Sequence, residues 1–103
     1  MAKILTAEEA CRIPYGEVIW LNRYMDGIHT IEAFLSDRVI PPDSCSVFVL
    51  TNARHTYECE HADELERNIR NDPPFYCHNY KFRFWNSYPE KKEFIDSEEG
   101  WYE

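Results

Sequence analysis

From Glu17 to Asp37, apolar, β-favouring residues lie on both sides of Asp26-Gly27, a pattern that predicts a β-hairpin. Asp-Gly takes the two positive backbone angles of a type I′ turn, and a two-residue turn fixes the register. Met25 then faces Ile28, Tyr24 faces His29, Asn22 faces Ile31, Trp20 faces Ala33 and Val18 faces Leu35. Because successive strand side chains point to opposite faces, Val18, Trp20, Ile31, Ala33 and Leu35 fall together and are expected to form the core side. Ile19, Leu21, Arg23, Thr30, Glu32 and Phe34 make the other face, mixed and expected to be partly covered. A hairpin alone is not stable in water, so the remaining chain must supply a cover.

The flanking segments supply candidates. Thr6-Ala7-Glu8-Glu9 fits a capping box at the start of a short helix, ended by the Ile13-Pro14 pair, with Leu5, Ala10 and Ile13 as its buried side. Val39-Ile40 extends the second hairpin strand until Pro41-Pro42-Asp43 breaks it. Cys45 to Thr51 contains the continuous apolar run VFVL, suited to a strand buried on both faces. A turn at Asn52-Ala53-Arg54 leads into the alternating His55 to Glu60, which predicts a second hairpin. Between His61 and Asn71 the period becomes helical: Ala62, Leu65 and Ile69 form a stripe, and Asp63 with Arg67 and Glu66 with Arg70 make acid-first i,i+4 pairs. Asn71-Asp72-Pro73-Pro74 stops that helix. Tyr80 to Trp85 alternates again, with Tyr80, Phe82 and Phe84 opposed to Lys81, Arg83 and Trp85. A last short helix is expected over Lys91 to Ile95. The chain reads as one α+β domain over residues 1–103. It has a small bent antiparallel sheet of four to five strands, open or barrel-like, and one or two short helices.

Composition sharpens this. An apolar share of 44 % with 16 % aromatic residues belongs to a folded chain and not to a disordered one. Nineteen acidic residues against eleven basic ones give a formal net charge of −8, which disfavours direct contact with nucleic acid or an anionic membrane and favours a basic partner. Charges and a helix start interrupt any N-terminal leader, and no long apolar run is present, so a cytoplasmic protein is expected, with Cys11, Cys45, Cys59 and Cys77 as reduced thiols.

The residues Leu5-Thr6-Ala7-Glu8-Glu9-Ala10, then Pro14-Tyr15-Gly16 and Val18, and near the far end Tyr80-Lys81-Phe82-Arg83-Phe84-Trp85, Pro89 and Trp101, resemble a group of small phage and prophage proteins of gut Firmicutes. That group shows a Leu-Thr-x-x-Glu opening, a Pro-Tyr-Gly turn before a strand and a closing Trp-Arg-x-Trp-x-x-x-Pro. Phe82 replaces the first tryptophan here, and Glu90 follows Pro89 where threonine is usual. The resemblance covers the first and last quarters of the chain and carries no catalytic residue. It implies a compact β-rich fold, a phage origin and an accessory role in blocking host defence machinery, as an anti-CRISPR or another anti-defence inhibitor does.

Candidate chemistry is sparse. Cys59, His61, Cys77 and His78 offer zinc donors, but structural sites pair ligands about two to four residues apart, and adjacent Cys77 and His78 project to opposite sides of an extended chain. No cofactor is therefore expected. The three glycines, Gly16, Gly27 and Gly100, exclude a phosphate-binding loop. No residues can be given catalytic roles, so an enzyme is not expected. Lys81 and Arg83 between aromatics match a single-strand stacking platform, yet the same alternation is what a packed sheet face requires. The acids Glu58, Glu60, Asp63, Glu64 and Glu66 crowd one span, and Glu98 and Glu99 stand beside Trp101. Sharing a face, they would imitate rows of phosphates and cover the basic groove of a host defence nucleoprotein or nuclease. Two alternatives stand beside this: a structural homodimer through an uncovered face containing Ile19, Leu21 and Phe34, and a small-ligand pocket near Trp20, Tyr24 and Trp85.

Overall fold

A computed structural model describes residues 2–37, 48–72, 79–92 and 97–103. The elements in chain order are β1 (Ile4–Leu5), α1 (Ala7–Cys11), β2 (Val18–Met25), β3 (Ile28–Ser36), β4 (Phe48–Thr51), β5 (Thr56–Cys59), α2 (Ala62–Arg70) and β6 (Tyr80–Trp85). The six strands form one antiparallel sheet in the order β1-β6-β2-β3-β4-β5, open at both edges and not closed into a barrel. The strand β1 lies outside the sequence expectation, since two residues are too few to show a period. The Val39-Ile40 extension, the first residues of the Cys45 to Thr51 strand and most of the Lys91 to Ile95 helix lie outside the described residues.

The hairpin is as its turn dictates. Asp26 and Gly27 have φ of 48° and 91°, and every pair from Val18↔Leu35 to Met25↔Ile28 is in the expected register. α1 begins at a capping box, in which Thr6 Oγ1 accepts from the Glu9 N–H at 3.1 Å and Glu9 Oε1 accepts from the Thr6 N–H at 3.0 Å. α2 runs over the expected span, and both of its ion pairs form.

The core lies on the face opposite to the one expected. Ile19, Leu21 and Phe34 are 0 %, 1 % and 1 % exposed, whereas Val18 and Leu35 are 42 % and 43 % exposed. The cause is the neighbour of β2. β6 pairs with β2 so that Leu21 lies opposite Phe84 and Arg23 opposite Phe82, while Asn22 lies opposite Arg83 and Tyr24 opposite Lys81. Phe82 and Phe84 thus join Ile19, Leu21 and Phe34, and Leu50, Leu65 and Ile69 close over them from β4 and α2. Each large side chain so buried contributes about 1.5–3 kcal/mol. An uncovered dimer face at Ile19, Leu21 and Phe34 is therefore ruled out, because those three side chains are the core.

The C-terminal segment locks the sheet from both sides. Tyr102 pairs antiparallel with Phe82, continuing the edge that β1 leaves: its N–H donates to the Phe82 carbonyl at 2.8 Å, and the Phe82 N–H donates to its carbonyl at 3.1 Å. The Tyr102 ring stacks on Phe82 at 5.4 Å between centroids, and its hydroxyl accepts from the Ala7 N–H at 2.8 Å. Gly100, at φ 76°, lies so close to Ile4 that an added Cβ would overlap the Ile4 side chain.

The inverted core gives a direct test. Ile19→Ala should lower unfolding free energy by about 2–5 kcal/mol in a urea titration, whereas Leu35→Ala on the opposite face should cost well under half of that. Equal losses would show that both faces are packed alike.

Candidate partner surface and polar clusters

The expected acidic residues divide by environment. Asp63 pairs with Arg67 at 3.3 Å and Glu66 with Arg70 at 2.7 Å, so helix α2 neutralises two of its own acids. Glu58, Glu60 and Glu64 have no basic partner among the described residues. Glu58 projects from β5, the terminal strand of the sheet, and Glu60 and Glu64 lie at the junction of β5 with α2. Glu64 turns back so that its Oε2 accepts from the Glu60 N–H at 3.3 Å. The outer edge of β5 is itself partly closed, since Asn68 Nδ2 donates to the Glu58 carbonyl at 3.4 Å. Pairing of a foreign strand is blunted there, and the acids are what remains on offer.

Glu98, Glu99 and Trp101 belong to a different region. They precede Tyr102 beside β6, near the opposite end of the strand order from β5, so the structure does not place them on one patch with Glu58 and Glu60. Trp101 docks on the chain itself. Its ring lies 3.9 Å from the Arg83 guanidinium carbon and 4.7 Å from Lys81 Nζ. Arg83 is fully buried: Nε donates to Asn22 Oδ1 at 3.0 Å, and NH1 donates to the Ser97 and Glu99 carbonyls at 2.9 and 3.0 Å. Burial pushes the Arg83 guanidinium down to about 10, which leaves it charged at neutral pH.

Among the described residues, Trp20, Tyr24 and Trp85 share one face of the sheet, and each lies against a neighbouring side chain. Trp20 packs edge-to-face on Tyr88 at 4.9 Å, Trp85 lies against Arg83 at 4.8 Å, and Tyr24 contacts His29 at 5.0 Å. Trp85 lines an open cleft of about 710 Å³ with Lys3, Ile4 and Lys92, whereas Tyr24 lines another of about 420 Å³ with Lys81 and Glu103. Arg83 and Trp101 lie on the same side of the sheet as Trp20, Tyr24 and Trp85.

Cys59 faces the core and His61 is exposed; Cys77 and His78 lie outside the described residues. Glu60, His61 and Glu64 place donor atoms within 4.8 Å of one another, but at the positive end of α2, which opposes a cation.

One polar constellation escaped sequence reasoning. Arg23 NH1 donates to Glu32 Oε1, its NH2 donates to the Tyr57 hydroxyl at 2.6 Å and to Asp72 Oδ2 at 3.3 Å, and the Tyr57 hydroxyl donates to Asp72. His55 stacks on Tyr57, with Nε2 3.8 Å from Glu32 and Nδ1 3.6 Å from Asp72. Asn52 Nδ2 donates to Glu32 Oε2 at 3.0 Å and closes the ring. Burial and the bond to Asp72 hold the Tyr57 hydroxyl well above the usual tyrosine range. Both imidazole nitrogens of His55 face carboxylates. The group acts as a clamp that ties the end of α2 to β2, β3 and β5. Its first pair was legible, since the hairpin register sets Arg23 and Glu32 on one face; the rest needed the contacts of β5 and α2.

No family model, no curated protein and no solved structure matches the chain. Among the described residues, no helix is long and apolar enough to cross a membrane.

His29 supplies a pH test. It is held below the ordinary histidine value, first by burial and then by Arg83 and Lys81, with Asn22, Tyr24 and Trp101 among its other neighbours. The unfolded chain therefore takes up this proton first, so the contribution is full above the unfolded value of about 6.5 and is lost as pH falls toward the folded one. Denaturation midpoints measured from pH 7.5 to 5 should fall, and His29→Gln should flatten part of that slope. An unchanged slope in the variant would refute the assignment.

Proposed function

We propose that this chain is a phage-derived, non-catalytic binding protein that inhibits a host defence nucleoprotein or nuclease by covering a basic, nucleic-acid-binding surface, in the manner of an anti-CRISPR protein. The observation that carries this reading is the group Glu58, Glu60 and Glu64 at the β5–α2 junction. These three carboxylates have no basic partner among the described residues, while Asp63 and Glu66 beside them do. A protein of net charge −8 attracts a basic groove at long range, and carboxylates without a basic partner are available to meet it. The phage origin and the anti-defence role rest on the resemblance of the two ends of the chain.

In this reading Glu58, Glu60 and Glu64 make the principal contact, with Asp63 and Glu66 available once their arginines turn away. Glu98 and Glu99 form a separate, secondary site. Trp101 serves the fold and not the partner, because it covers Arg83. Direct nucleic-acid contact and a cofactor have no part in the mechanism.

The immobilised protein should retain from a bacterial host lysate a nucleic-acid-binding protein that is released by heparin or by raising salt toward about 0.5 M, where screening shortens the reach of exposed charge. Glu58→Lys/Glu60→Lys/Glu64→Lys should weaken that capture by at least about tenfold, and Glu98→Lys/Glu99→Lys by less. Capture that is indifferent to heparin and to the triple reversal would overturn the proposal.

A further inference from the structure

Lys81 and Glu103 carry opposite charges on adjacent segments and do not pair with each other. Tyr102 is bonded antiparallel to Phe82, and the same register sets Trp101 opposite Arg83 and Glu103 opposite Lys81. On the other side of β6, Lys81 lies opposite Tyr24. Since Phe82 and Tyr102 point to the core, Tyr24, Lys81 and Glu103 form a row on the face away from it. Within that row the Lys81 ammonium is turned over two rings, 5.0 Å from the Tyr24 centroid and 4.7 Å from that of Trp101. Neither Lys81 nor Glu103 has an ion-pair partner among the described residues. Both line the cleft of about 420 Å³, together with Tyr24, Asn79 and Tyr80. Its walls are tied down. The Asp26 N–H donates to the Asn79 carbonyl and the Asn79 N–H to Asp26 Oδ1, both at 3.1 Å, and the Tyr80 hydroxyl donates to the Ile69 carbonyl at 2.9 Å.

We propose that this cleft binds a free α-amino acid with an aromatic side chain, its carboxylate on Lys81 and its ammonium on Glu103. A ligand with a single charge satisfies one of these two groups and is repelled by the other. A zwitterion satisfies both. Side chains on directly opposed backbone positions start about 4.5–5.5 Å apart, a separation that the two charged groups on one α-carbon can bridge with charge-assisted hydrogen bonds. Tyr24 and Tyr80 supply ring surface for the aromatic side chain. The volume falls within the range of small-ligand sites, roughly 300–1,000 Å³. The cleft is separate from the carboxylates of β5 and α2, because β2, β3 and β4 stand between β6 and β5. Binding here and capture of a basic partner are therefore independent of each other.

The test follows the backbone amides of isotope-labelled full-length protein by two-dimensional NMR during titration with L-phenylalanine. Saturable shifts are expected at Tyr24, Lys81 and Glu103, with a Kd of about 1 mM or tighter. 3-Phenylpropionate, which lacks the ammonium, and phenethylamine, which lacks the carboxylate, should each bind at least about tenfold more weakly. Glu103→Gln should weaken phenylalanine by about tenfold and leave 3-phenylpropionate no weaker, whereas Lys81→Met should weaken both. Should Lys81→Met fail to fold, Glu103→Gln and the two analogues decide. No saturable shift with phenylalanine, shifts confined to residues outside the cleft, or equal affinity for either analogue would overturn the proposal.

Discussion

The structure depends on a buried positive charge. Arg83 stands on β6, next to the central strand β2, and its guanidinium is taken wholly out of water. A charge in that position is tolerable only when its donors are satisfied and its faces covered. Asn22 and the carbonyls of Ser97 and Glu99 accept from it, and the indoles of Trp85 and Trp101 flank it. Meeting that requirement brings the C-terminal segment across the sheet. The segment then sets Trp101 on one face and Tyr102 on the other, so that Tyr102 seals the aromatic core while Trp101 covers the charge.

The same residue explains which parts of the fold could be read from the chain. The hairpin register, the capping box, the span of α2 and the opposed faces of Tyr80 to Trp85 are local consequences of turn angles and periods, and each is visible in a few adjacent residues. The choice of core face is not local. Val18, Trp20, Ile31, Ala33 and Leu35 are as apolar a set as Ile19, Leu21 and Phe34, and the hairpin by itself does not discriminate between them. β6 decides, because its register against β2 sends Phe82 and Phe84 to one face and Lys81 and Arg83 to the other. Reading that register requires knowing that a strand near the end of the chain lies beside the first hairpin strand, which no spacing reveals.

The candidate surface was legible in the same uneven way. A run of acids from Glu58 to Glu66 is evident in the sequence, and so are the i,i+4 pairs that neutralise Asp63 and Glu66. The separation of Glu98 and Glu99 from that run follows only from strand order. Trp101, for which docking on the fold and anchoring a partner were equally open from the sequence, lies on Arg83 and Lys81. The clamp of Arg23, Glu32, His55, Tyr57 and Asp72 shows the converse: residues scattered along the chain are brought together where they hold the end of α2 to the sheet.

Amide hydrogen exchange at Tyr102 in the wild type and in Arg83→Met tests the central claim most directly. In the wild type the Tyr102 N–H, bonded to the Phe82 carbonyl at 2.8 Å, should exchange slowly, with protection approaching that of β6. In Arg83→Met that protection should vanish at Tyr102 before it is lost in the β2–β3 hairpin, because the segment loses the charge that holds it. A Tyr102 amide that stays equally protected in the variant would contradict the account.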